Sequence, residues 1–126
     1  MTLPPISPAF AEQALTATLC HLPLPPETIL AGTPECFHAA IAAGFGAHVT
    51  CGIWEITPGV VSDVEAAEMF IVLKGRARVE IEGGATLELA PGSVGVLRRG
   101  DRSIWHVTET LRKVYVMFPP DVAELT

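Results

Sequence analysis

The 126-residue chain sets 8 Lys and Arg against 14 Asp and Glu, a formal net charge of −6, and 49% of its residues are apolar. That is enough chain and enough apolar side chain for one domain with a real core, and it excludes the basic stripe that nucleic acid or an anionic membrane surface would require, because basic residues adjoin only at Arg98-Arg99 and Arg112-Lys113. Three irregularly spaced cysteines, Cys20, Cys36 and Cys51, point to reduced thiols in the cytoplasm, the first residues lack a signal peptide's basic stretch, and no apolar run reaches the ~20 residues of a membrane helix.

Residues 1–35 are dense in proline ("LPPISP", "LPLPPE", "GTPE"). Proline fixes φ and has no amide donor, so this segment reads as an arm lying extended on the domain, with room for one short helix over 8–19. From residue 36 to the end the pattern is that of strands, expected near 36–42, 47–56, 60–65, 68–74, 76–82, 85–89, 93–97, 103–108 and 113–118. "RARVEIE" (76–82) alternates strictly, with Ala77, Val79 and Ile81 on one face. Gly83-Gly84 then leads into "TLELA", which reads as a hairpin. Pro58-Gly59 and Pro91-Gly92 suit type II turns. Many short strands punctuated by Gly and Pro predict an all-β antiparallel barrel or sandwich over 36–126.

"PGVVSDVEAAEMFIVLKG" (58–75) has a Pro-Gly turn, an acidic stretch, Glu68, an apolar strand and a closing Gly75. With "GSVGVLRRGDRS" (92–103), the order of these motifs resembles the cupins, a jelly-roll β-barrel family. "GIWEITPG" (52–59), "IWHV" (104–107), "LRKVYV" (111–116) and "LAGTP" (30–34) are similar to one branch of it, the small single-domain cupins such as ureidoglycine aminohydrolase and the ethanolamine-utilisation cupins. The resemblance implies a cupin-type jelly roll with a proline-rich N-terminal arm, and a metal held by histidines and a glutamate. This sequence keeps only Glu68 of that ligand set. Ser62 and Asp63 stand in the stretch where the first two histidines would fall, and Ser103 stands at the later one. The expectation is therefore a degenerate site with no metal.

The four histidines, His21, His38, His48 and His106, do not repair that site. If Ser103 points inward, Trp105 and Val107 share its face and His106 points away. Each imidazole is expected to be an ordinary hydrogen-bonded surface or core side chain. Glu68 has two readings. Periodicity sets Glu68, Phe70 and Val72 against the more apolar Met69, Ile71 and Leu73, which puts Glu68 outward, whereas the resemblance implies that it lines the barrel. An inward glutamate without a metal needs a partner or a raised pKa, and Glu68 is the candidate general base. Trp54, Phe70, Ser103, Trp105 and Tyr115 are the candidate ligand-binding residues, since aromatic walls with a few polar groups make a pocket; parity leaves the direction of Tyr115 open. No G-x-S-x-G and no phosphate loop is present, "GFG" (44–46) reading as a turn, and Cys51 within a strand reads as a buried hydrophobe.

The functional expectation is a cytoplasmic small-molecule-binding cupin of unassigned ligand. The alternatives are a hydrolase or isomerase acting on a small ureido or amine compound, and a non-enzymatic dimeric interaction protein. The Met69–Ile71–Leu73 face and the arm predict a homodimer.

Overall fold

Alternating burial along the strand Glu68–Ile81 shows how the sheet is built: Glu68, Phe70 and Val72 are buried while Ile71 between them is exposed. The computed structural model describes residues 9–41 and 49–120. The strands are β1 (Cys20–His21), β2 (Ile29–Ala31), β3 (Cys36–Ile41), β4 (Thr50–Ile56), β5 (Gly59–Val64), β6 (Glu68–Ile81), β7 (Thr86–Leu89), β8 (Val94–Leu97) and β9 (Arg102–Met117). A single 3-10 turn, Pro26–Thr28, is the only helical element among the described residues, so none there is long and apolar enough to cross a membrane.

The two long strands organise everything else. Through residues 102–107, β9 pairs with β5, and through 111–117 with β4; on its other side β6 accompanies it over its length. In turn, β6 pairs with β8 at Glu68–Ile71 and with β7 at Ala77–Glu80. All pairings are antiparallel. The result is one strongly curled sheet whose inner face gathers Ile56, Val61, Phe70, Val79, Trp105 and Leu111 into a core. Burying each such side chain contributes on the order of 1.5–3 kcal/mol.

Two departures from the expected strands share one cause. The runs 68–74 and 76–82 are a single strand, as are 103–108 and 113–118. Gly75 is not a turn but a bulge inside β6: its φ is +92°, and a Cβ there would collide with the Thr110 carbonyl. The ladder slips register between Val72 and Ala77, which bends the strand without ending it.

The helix expected over 8–19 is absent from its described part. Residues 9–19 hold a single turn, closed by the Ala17 N–H on the Gln13 carbonyl at 2.9 Å. The reason lies on the outer face of β9. There Arg112 donates to the carbonyl of Ala14 (2.8 Å), which a helix would offer to residue 18, and to that of Ala17 (2.6 Å), and its third contact is Glu55 at 3.4 Å. Further along, β1 pairs with β3 and β2 with β5, so residues 20–21 and 29–31 join the sheet. His48 and the "GFG" turn lie outside the described residues.

Candidate functional site

Parity along β9 delivers the site. Ser103, Trp105, Lys113 and Tyr115 are all odd-numbered on one strand and point to one side of it. With Glu65 and Glu68 from either side of the β5–β6 loop, Cys36 and His38 from β3, Trp54 from β4 and the Leu22–Pro25 stretch as a cover, Trp105, Lys113 and Tyr115 line a cavity of about 490 Å³, and Ser103 stands behind its wall, bonded to Glu65.

At its inner end is a buried ion pair. Lys113 Nζ donates to Glu68 Oε2 at 2.9 Å, with both side chains almost wholly buried. The same ammonium lies 4.5 Å from the ring centroid of Phe70, 4.7 Å from Trp54 and 4.9 Å from Trp105. The indoles meet edge to face at 5.8 Å, and Phe70 tilts on Trp105 at 6.0 Å. Aromatic faces are electron-rich, so each ring attracts the cation, and more strongly once water is excluded.

Towards the β5–β6 loop stands a second carboxylate held by neutral donors. Ser103 Oγ donates to Glu65 Oε1 at 2.7 Å, and the Trp105 indole N–H is shared between Glu65 Oε1 (3.3 Å) and Ser103 Oγ (3.1 Å). Main-chain bonds fix the Glu65 loop, its N–H donating to Asp101 and its carbonyl accepting from Gly100. Burial, reinforced by the charge of Asp63, pushes the Glu65 carboxyl up to about 7; Ser103, Lys113 and Trp105 pull the other way and lose. Tyr115 reaches over Gly52, where a Cβ would lie 2.5 Å from the phenol oxygen. Burial first, then the Glu68 charge, raises its hydroxyl pKa. Burial also pushes the Cys36 thiol up to about 12, so it is no nucleophile at neutral pH.

Of the residues singled out by sequence, Glu68, Trp54, Trp105 and Tyr115 line this cavity, whereas Ser103 is buried behind the wall and reaches it only through its bond to Glu65. Phe70 is fully buried behind it and closes the box around Lys113 without joining the wall. His106 lies on the outer face, 3.3 Å from Glu80. His38 departs from the ordinary bonding expected of it: it faces the cavity, and its buried Nδ1 has no partner among the described residues. Lys113 and the role of Glu65 were missed. The parity signal for Lys113 is present in the sequence, ten residues from Ser103, but it is lost once β9 is broken into two strands.

A histidine-held metal does not fit these residues. Lys113 occupies the Glu68 carboxylate, Ser103 is bonded to Glu65, and no three His, Cys, Asp or Glu among the described residues gather as ligands.

The model of the EutQ-like cupin domain family matches residues 43–115. The structure is similar to that of the EutQ protein of Clostridium difficile, at 18% identity and a TM-score of 0.60 over 71% of each chain. It is also similar to a protein of unknown function from Pseudomonas syringae, at 23% identity and a TM-score of 0.72, over 82% of this chain and 45% of that one. A third, of unknown function from Rhizobium leguminosarum, shares 24% identity at a TM-score of 0.54, over 65% of this chain and 81% of the other. No curated protein matches the chain. At these identities the likenesses establish the β-barrel fold alone.

Proposed function

The chain belongs to the EutQ-like cupin family, and we propose that its barrel binds a small nitrogenous molecule, of amine or ureido type, without a histidine-held metal. The observation that carries this reading is the polarity of the cavity. Asp63 and Glu65 present acceptor oxygens, while the one lysine on the lining is already matched by Glu68. A ligand that supplies N–H donors complements such a lining, and one that brings another carboxylate does not. Trp54 and Trp105 add an apolar wall that also favours a cationic nitrogen, and about 490 Å³ suits a compact metabolite.

A panel of short amines, ureido compounds and matched carboxylates, screened by thermal shift and confirmed by calorimetry, tests this. An amine or ureido compound should raise the melting temperature saturably, the linkage reaching about 2.7 kcal/mol at one hundred times Kd. Trp54→Ala should weaken that binding at least tenfold, and Ser103→Ala should weaken it less, through the loss of its bond to Glu65. Carboxylates alone binding, or nothing binding, would reject the reading.

A second reading, a hydrolase or isomerase on the same compounds, is favoured by one observation: a carboxyl poised near 7 beside the cavity. That carboxyl is Glu65. Glu68, the base expected from sequence, is tied to an ammonium. Turnover lost in Glu65→Gln and kept in Glu68→Gln is the pattern this reading requires.

A further inference from the structure

A lysine at the centre of an apolar barrel calls for a physical reason, and stability does not supply one. Two charges taken out of water regain little over two well-packed apolar side chains of the same volume. What surrounds Lys113 is specific to a cation: a carboxylate oxygen at 2.9 Å and three ring faces centred at 4.5, 4.7 and 4.9 Å. A carboxylate with several aromatic walls is the chemistry by which proteins recognise organic ammonium ions. The walls come from three strands, Trp54 on β4, Phe70 on β6 and Trp105 on β9, and Glu68 opens β6. The arrangement is therefore built by the tertiary fold and does not follow from a local run of sequence.

We infer that Trp54, Phe70, Trp105 and Glu68 form a binding site for a primary alkylammonium ion, and that the side chain of Lys113 is its resident occupant. The positive charge inside this barrel is covalently tethered and needs no ion from solution. With the tether cut, the free species that fits is a short alkylammonium of the length removed. The inference concerns the box and its occupant, not the molecule that enters the remaining cavity, so it stands or falls separately from the ligand reading above.

Lys113→Ala removes the equivalent of n-propylammonium, which is the probe. The variant should melt roughly 10 °C or more below the wild type, since a buried carboxylate is left alone. n-Propylammonium chloride should restore at least half of that loss saturably, bind the variant near one to one by calorimetry, and shift the variant far more than the wild type, whose box is already filled. n-Propanol, of the same size without the charge, should do neither. If propylammonium shifts both proteins equally, or propanol matches it, there is no ammonium site. Should Lys113→Ala not fold, Lys113→Met reads the same box, because it keeps an apolar chain of similar length. It should melt well below the wild type, and adding Glu68→Gln should recover most of the loss. A Lys113→Met protein as stable as the wild type overturns the inference, as does a stoichiometric transition metal copurifying with the wild type. An empty result from the amine and ureido panel leaves these expectations unchanged, because they need only the variants and the probe.

Discussion

At Glu65 the competing terms can be ranked, and they predict a pH dependence. Burial is the largest influence and the Asp63 charge follows, so the carboxyl rises to about 7 against the pull of Ser103, Lys113 and Trp105. An unfolded glutamate titrates near 4.3. Between roughly pH 4.3 and 7 the folded protein therefore holds a proton that the unfolded chain has released. That contribution is complete below the lower value and fades as the pH rises through the upper one. It is on the order of 3–4 kcal/mol. The melting temperature should accordingly fall from pH 5 to pH 8, and Glu65→Gln should flatten the profile. Ser103→Ala removes a donor that favours the charged form, so it should move the falling limb to higher pH. A wild-type profile that rises over this range would mean that Glu65 is ionised throughout.

Lys113 shows at the same scale why a motif is not a site. "LRKVYV" is visible in the sequence, but nothing local says that its arginine clamps the arm on the outside while the lysine beside it enters the barrel. Adjacent residues of a strand face opposite sides, and which side is inside depends on where the rest of the sheet curls.

Among the elements, the bulge at Gly75 carries the most consequence. It lets β6 bend around the barrel while β9 keeps its parity, so Ser103, Trp105, Lys113 and Tyr115 stay on one face of that sixteen-residue strand. Gly75→Ala puts a Cβ against the Thr110 carbonyl at a φ of +92°. It should cost roughly 3 kcal/mol or more, read as a lower urea midpoint with the slope unchanged. A variant within 0.5 kcal/mol of wild type, on the order expected of an ordinary surface change, would show that the strand bends elsewhere. The sequence marks a glycine that closes an apolar run here, but not whether the chain turns or bulges, because a positive φ serves both equally.

For the whole molecule, the outer face beside β8 remains to be covered. Val94 and Val96 are 65% and 70% exposed, and Ile71 on the adjoining β6 is 41% exposed. We propose that a second copy of the chain packs here, in line with the apolar Met69–Ile71–Leu73 face read from the sequence. Sedimentation should then give a dimer mass for the wild type and a monomer for Val96→Glu; a monomeric wild type at micromolar concentration would refute it.

The all-β class, the family, the alternation along β7 and the second half of β6, and four residues of the cavity wall (Trp54, Glu68, Trp105 and Tyr115) were legible in the sequence alone. Period-two patterning and Gly-Pro punctuation are local, and they survive any packing of the strands. It could not choose the face for Glu68, because the more apolar side of β6 is the outer one. It could not show that the expected base is neutralised by a lysine forty-five residues away, or that Glu65 is the carboxyl left free to titrate. Those outcomes depend on which strands the curled sheet brings opposite one another. Desolvation and charge pairing act through space, and the order of residues along the chain does not record those distances.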